Sequence, residues 1–83
     1  EKVAKIYPNP VKEKLVIELM DYSSKNFEIQ ISNSIGQVIF NAEKINFSKE
    51  KTIEINTESF PKGIYFVVLK SEGVNQSVRL VKD

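Results

Sequence analysis

Histidine, cysteine and tryptophan are all absent from this chain of 83 residues. Without histidine and cysteine, the chain lacks the side chains that most often bind transition metals, act as nucleophiles or general bases, and form disulfides. The charge is also nearly balanced, since 12 Lys and Arg oppose 11 Asp and Glu for a net charge of +1. No electrostatic argument therefore favours nucleic acid or an anionic membrane. We expect a non-enzymatic protein with no cofactor, metal or small-molecule substrate.

Long apolar runs are missing as well. None approaches the ~20 residues that span a bilayer, and no apolar signal-peptide segment opens the chain. We therefore expect residues 1–83 to be cut from a longer precursor. A chain of this length supports one domain at most, so we also expect them to form a single domain.

The apolar residues that are present show a strong bias. Val and Ile total 19, whereas Leu, Ala and Met together total 7. Side chains branched at Cβ pack well on a pleated sheet and lose rotamer freedom in a helix. The composition therefore predicts an all-β fold.

Short segments of alternating polar and apolar residues support this fold class. In residues 27–32, Phe27, Ile29 and Ile31 would face one side of a sheet and the polar residues the other. The pattern predicts about seven strands, at 3–7, 14–20, 27–32, 38–44, 51–56, 64–70 and 76–82. Strands spaced by roughly 8–12 residues are typical of a mostly antiparallel, immunoglobulin-like β-sandwich, with a small barrel as the alternative.

The same alternation predicts one core between two sheets. Its expected members are Leu15, Ile17, Leu19, Phe27, Ile29, Ile31, Ile53, Ile55, Tyr65, Val67 and Leu80. The sixth strand carries an unbroken apolar run at 64–69, which indicates a central strand covered on both faces or nearly so. Gly36, in the loop between the third and fourth strands, is expected to have a positive φ.

The acidic residues are the remaining candidates for chemistry. Glu18, Glu28 and Glu54 each fall on the predicted outward face of a strand, near outward lysines. This placement is typical of cross-strand charge pairs on a solvated sheet. We therefore expect these carboxylates to be structural rather than catalytic.

Four motifs follow one another along the chain in a fixed order. They are Ile6-Tyr7-Pro8-Asn9-Pro10, Ile29-x-Ile31-x-Asn33-x-x-Gly36-Gln37, Phe60-Pro61-Lys62-Gly63-Ile64-Tyr65-Phe66-Val67 and Val78-Arg79-Leu80-Val81-Lys82. Their order and spacing resemble the type A C-terminal sorting domains of the type IX secretion system, over nearly the whole chain.

The resemblance implies a function that composition does not reveal. Such a domain is an immunoglobulin-like sandwich at the C-terminus of a secreted precursor, behind an N-terminal cargo domain. It would pass through the periplasm and direct the cargo across the outer membrane through the type IX translocon and its shuttle component. A sortase would then remove it, leaving the cargo at the cell surface or secreted. The competing interpretation is an immunoglobulin-like spacer or carbohydrate-binding module of an extracellular enzyme.

The resemblance also suggests which residues the translocon or sortase would recognise. These candidates are Tyr7, Pro8, Asn9 and Pro10 near the cargo junction, Gly63 and Tyr65 of a Gly-x-Tyr motif, and Arg79 and Lys82 in the last strand. We expect the two cations to be exposed and to make charge-assisted contacts with a receptor. Each motif also has a purely structural explanation, since prolines end strands, glycines permit turns and a tyrosine fills a core.

Overall fold

Seven strands account for most of the chain. A computed structural model of the protein describes residues 4–20, 26–46 and 52–83. The strands are β1 (Ala4–Tyr7), β2 (Lys14–Leu19), β3 (Asn26–Asn33), β4 (Val38–Asn46), β5 (Thr52–Asn56), β6 (Gly63–Ser71) and β7 (Val74–Lys82). In the described ranges, no helix is long and apolar enough to cross a membrane.

The observed strands agree with the predicted ones to within about two residues. Val3 and Lys51, the predicted first residues of two strands, lie outside the described residues. β4 continues to Asn46, and β7 begins at Val74 rather than at residue 76. The predicted strands stopped short at these ends by one apolar and one polar residue each, Ile45 with Asn46 and Val74 with Asn75.

The strands form two antiparallel sheets. One has the order β1-β2-β5 and the other the order β4-β3-β6-β7, and every neighbouring pair is antiparallel. Two separate sheets packed face to face make a sandwich, so the predicted all-β sandwich is confirmed and the barrel alternative is wrong.

The core lies between the two sheets, as alternation predicts. All predicted core residues are buried except Ile53, which is half-buried against the others. Ala4, Val11 and Leu69 join them without having been predicted. Ala4 follows another apolar residue in the predicted strand 3–7, so alternation does not show which of the two faces inward, and Val11 lies outside the predicted strands.

β6 departs from its prediction on one face. Tyr65 and Val67 are buried, but Ile64 and Phe66 point outward and remain 37% and 39% exposed. β6 is central in its sheet, between β3 and β7, yet only the inner face of that sheet packs on the other sheet. The expectation that β6 is covered on both faces is therefore wrong, because its unbroken apolar run reflects an apolar outer surface.

The turn between β3 and β4 confirms the prediction for Gly36. Its φ is +87°, in the left-handed region. Asn33 closes the turn, because its Oδ1 accepts hydrogen bonds from the backbone N–H of Ile35 at 3.2 Å and of Gln37 at 2.9 Å. The side chain thus fixes the path of the backbone on either side of the glycine.

Substituting Gly36 with alanine should cost stability through backbone strain. No atom lies within 4 Å of the position that a Cβ would take, so crowding contributes nothing. We expect Gly36→Ala to lower the free energy of unfolding by about 1 kcal/mol. Gly36→Asn should lose less, because asparagine tolerates the left-handed region. Urea denaturation measures both values, and equal losses for the two variants would contradict this explanation.

Candidate functional site

Three segments distant in sequence meet around the last residues of β7. They are residues 9–11, the connection and strand start at 57–65, and residues 79–83, and we call this region the β7 junction. It contains most of the residues that the sequence marks as candidates for recognition.

Asn9 caps the outer edge of β7. Its Nδ2 donates a hydrogen bond to the backbone oxygen of Arg79 at 2.7 Å, and its Oδ1 accepts one from the backbone N–H of Val81 at 2.9 Å. A single side-chain amide thereby supplies the donor and acceptor that a neighbouring strand would supply. Since β7 is an edge strand, this cap covers backbone groups that could otherwise pair with another chain.

Val11 extends the same cap toward the end of the chain. Its N–H donates to the oxygen of Val81 at 2.8 Å, and its oxygen accepts from the N–H of Asp83 at 3.0 Å. Its side chain is completely buried. Sequence reasoning missed Val11, although it is the one apolar residue between Pro10 and Leu15, and that isolation was the available signal.

The prolines on either side of Asn9 are exposed. The peptide bonds Tyr7–Pro8 and Asn9–Pro10 are both cis. Neither proline has a backbone N–H, so in this segment the pairing with β7 falls to the Asn9 side chain and the Val11 backbone. The prolines do end β1, as their structural explanation predicts.

Removing the Asn9 cap should destabilise the domain moderately. Asn9→Ala loses two hydrogen bonds at a solvent-exposed edge, so we expect the free energy of unfolding to fall by about 1–2 kcal/mol. Asn9→Asp keeps the acceptor for Val81 but loses the donor for Arg79, and it should fall in between. Thermal or urea unfolding gives both values. If Asn9→Ala unfolds at the wild-type midpoint, the cap contributes nothing to stability.

Lys82 is buried, which contradicts its expected exposure. It is only 8% exposed, and its Nζ donates to the backbone oxygens of Phe60 at 3.0 Å and Glu58 at 3.4 Å. Lys82 is two residues from Leu80 on β7, so both side chains point into the sandwich. The aliphatic part of Lys82 is buried there, while its amine reaches the carbonyls of the β5–β6 connection. Of the two cations predicted to be exposed for recognition, Arg79 alone is exposed to solvent.

Gly63 and Tyr65 contribute to the shape of the β5–β6 connection, the loop to which Lys82 donates its hydrogen bonds. Gly63 pairs with Lys82 across the sheet and has a φ of +150°, which residues with a Cβ rarely adopt. The buried Tyr65 donates its hydroxyl hydrogen to the oxygen of Pro61, and its ring packs on Phe60 with centroids 5.3 Å apart. This upstream bond resembles the tyrosine corner of immunoglobulin domains.

Tyr7 lies apart from this network. It stands on the outer face of the three-stranded sheet, where its hydroxyl donates to Glu18 Oε1 at 3.1 Å. That hydrogen bond, with smaller contributions from burial and the Glu18 charge, raises the pKa of Tyr7 above its ordinary value. The structure thus brings Asn9, Gly63, Tyr65, Lys82 and the Arg79 backbone together, but not the Tyr7 side chain.

Of the three carboxylates predicted to face outward, two make cross-strand contacts on the outer face of the three-stranded sheet, and one of these contacts is the expected charge pair. Glu54 forms an exposed ion pair with Lys14 at 3.3 Å, and Glu18 accepts the Tyr7 hydrogen bond. Within residues 4–20, 26–46 and 52–83, no group of three or more acidic side chains is arranged to hold a metal ion.

The first segment of the chain follows β7 over much of its length. At one end, Ala4 and the Gln76 side-chain amide exchange two hydrogen bonds of 3.0 Å, and at the other end Val11 pairs with Val81. Residues 4–11 therefore run beside β7 and are tied to it by hydrogen bonds at both ends of that stretch.

Comparison with solved structures identifies the fold. An immunoglobulin-like β-sandwich protein of the DUF3244 family from Bacteroides vulgatus matches with a TM-score of 0.81 and 14% sequence identity, over 98% of this chain and 85% of that one. At this identity the likeness shows the fold alone, and it confirms the immunoglobulin-like prediction. A search of curated proteins found no match.

Comparison with family models extends the result to function. Residues 5–83 match the model described as the secretion system C-terminal sorting domain, a span that includes the whole β7 junction. The family is not known to be catalytic, and its role implies export to the cell surface or the medium. The chain therefore belongs to the family of C-terminal sorting domains of the type IX secretion system.

Proposed function

We propose that residues 1–83 form the last domain of a larger secreted precursor and carry an N-terminal cargo domain through the type IX machinery. The precursor passes through the periplasm, the folded domain engages the outer-membrane translocon and its shuttle component, and a surface sortase then removes it. The single observation that carries this proposal is the family match over residues 5–83.

The geometry of the β7 junction supports recognition of the folded domain rather than of an unfolded tail. Asn9 and Val11 bind the end of β7, so the cargo side and the last strand lie together in the fold. In this proposal, Asn9, Gly63, Tyr65 and Lys82 maintain the shape that the machinery reads. The exposed Tyr7, Pro8, Pro10 and Arg79 make direct contacts with the translocon or the sortase.

Arg79 provides a test of direct contact. In a fusion of residues 1–83 to a periplasmic reporter, Arg79→Ala should change the free energy of unfolding by less than about 0.5 kcal/mol, because exposed charges contribute little to stability. We expect extracellular reporter to fall severalfold. Lys70→Ala, which removes an exposed cation from the neighbouring strand, is the matched control. Wild-type export by a folded Arg79→Ala variant would rule out a contact through this charge.

Sortase removal is tested on the exported product. The mass of the reporter recovered outside the cell should be smaller than that of the fusion by about the mass of the domain, 9.5 kDa. An exported reporter of full mass would contradict cleavage while leaving the sorting function intact. A spacer or carbohydrate-binding module would instead leave the reporter in the periplasm.

A further inference from the structure

The two outer faces of the sandwich differ in chemistry. The face of the three-stranded sheet is polar, with the Lys14–Glu54 ion pair and the hydrogen bond from Tyr7 to Glu18. The face of the four-stranded sheet exposes Val38 at 47%, Phe66 at 39% and Ile64 at 37%. The first face is typical of a sheet that meets water, whereas the second resembles a surface that meets a partner.

Strand register places the exposed apolar residues on one face of the sheet, with Ser32 between Val38 and Phe66. Ser32 pairs with Val38 on one side and with Phe66 on the other, and Phe66 pairs with Arg79. Directly paired residues share one face of a sheet. Val38, Phe66 and Arg79 therefore lie in one row, and Ile64 lies two residues along β6 on the same face.

A groove continues this surface beyond the end of the sheet. It has a volume of about 540 Å³ and runs between the β3–β4 turn and the connection before β6. Its apolar lining includes Ile35, which is 84% exposed, and Ile39 and Ile64, which are each 37% exposed. Ile64 thus borders both the groove and the sheet face. We call Ile35, Val38, Ile39, Ile64 and Phe66 together the apolar surface.

Two charged residues, Lys62 and Arg79, adjoin the apolar surface, and both are positive. Lys62 is the charged residue in the groove lining, and Arg79 stands next to Phe66 in the register. Across the three described ranges, neither cation forms a salt bridge, since the ion pair found there joins Lys14 and Glu54. Two unpaired cations beside exposed apolar side chains favour a partner that offers carboxylates next to apolar groups.

We propose that the apolar surface docks a polypeptide segment of the export machinery that carries apolar side chains flanked by carboxylates. Phe66 and Ile64 are the apolar anchors of this contact, while Arg79 and Lys62 pair with the acidic groups; aromatic residues and arginine are the side chains most often found at such positions. The inference rests on the proposed sorting function. It adds which face of the domain is bound and the chemistry of the segment that binds it.

A bilayer is a weaker candidate for this surface than a protein. The chain has no tryptophan and a net charge of +1, whereas stable binding to anionic lipid requires a cluster of several basic residues. The groove also suits individual side chains better than it suits a flat lipid surface. Lipid binding is therefore treated as an outcome that would count against the proposal.

The test compares two changes to the apolar surface in the reporter fusion. Ile64→Thr with Phe66→Ser removes the apolar anchors, and Val16→Thr, on the outer face of β2, is the matched apolar-to-polar control. Lys62→Glu with Arg79→Glu reverses the two charges, and Lys5→Glu with Lys12→Glu is the matched control for charge. The charge variants change exposed side chains only, so they remain informative if the apolar variant folds poorly.

We expect each double variant of the apolar surface to lower export by about tenfold or more, with both controls close to wild type. Export at the wild-type rate by both surface variants would overturn the proposal. Loss of export in the apolar variant alone would overturn the claim that the partner offers carboxylates.

A dimer of the purified chain that Phe66→Ser abolishes would assign the surface to a second copy. Binding to phosphatidylglycerol vesicles that Phe66→Ser abolishes would assign it to lipid. If the wild-type fusion itself stays in the periplasm, the sorting function fails instead.

Discussion

Ile29→Ala should lower the free energy of unfolding by about 2–5 kcal/mol. Ile29 is completely buried, and it lies in β3, which pairs with β4 on one side and β6 on the other. Truncation there leaves a cavity that the strands on either side cannot close without breaking their own pairing. Because a small domain has only about 5–15 kcal/mol of stability in total, this is the largest single effect that we expect.

Urea denaturation monitored by circular dichroism measures the effect. Ile29→Val removes one methyl group and should cost only about 0.5–1.5 kcal/mol. Gln30→Ala is the matched control, since Gln30 is the next residue along β3 and faces outward. If Ile29→Ala and Gln30→Ala unfold at the same urea concentration, the assignment of the core face is wrong.

Lys82→Met should cost about 1.5–3 kcal/mol, because it removes hydrogen bonds from a charged donor. Methionine retains most of the buried stem but cannot donate to the Phe60 and Glu58 oxygens. Arg79→Met, three residues earlier on the same strand, changes an exposed cation and should leave stability nearly unchanged. Equal losses for the two variants would show that the bonds from Lys82 to the loop do not stabilise the fold.

The different behaviour expected of these two cations changes how the last strand should be interpreted. From sequence, Arg79 and Lys82 are equivalent charges near the end of the chain. In the fold, Lys82 holds the loop before β6, while the Arg79 side chain faces solvent and its backbone oxygen binds Asn9. A loss of export in a Lys82 variant would therefore reflect altered structure, whereas a loss in an Arg79 variant would reflect recognition.

Alternation predicted the sheets and most of the core because burial on one face imposes a two-residue period on each strand. It correctly predicted that the side chains of Phe27, Ile29 and Ile31 face the core. The same rule was misleading for β6. Its outward-facing residues Ile64 and Phe66 are also apolar, so the strand shows no alternation of polar and apolar residues. An apolar run indicates two apolar faces, and it does not reveal whether the second face is covered.

The β7 junction could be predicted only in part. The resemblance identified Asn9, Gly63, Tyr65 and Lys82 among eight candidate residues, but it did not indicate which of them touch. Asn9 contacts Arg79, 70 residues further along the chain, and Lys82 contacts Phe60, 22 residues before it. No local period connects such positions. Lys82 was misjudged because a lysine is rarely buried, and only the nearby carbonyls of the β5–β6 connection make its burial favourable.

Export of the unmodified fusion is the most direct test of the sorting function. Residues 1–83 are joined to the C-terminus of a periplasmic reporter and expressed in a host with a type IX system and in the same host lacking the outer-membrane translocon. The family assignment predicts reporter at the cell surface or in the medium of the first host, and in the periplasm of the second. Reporter retained in the periplasm of both hosts, or released equally by both, would contradict it.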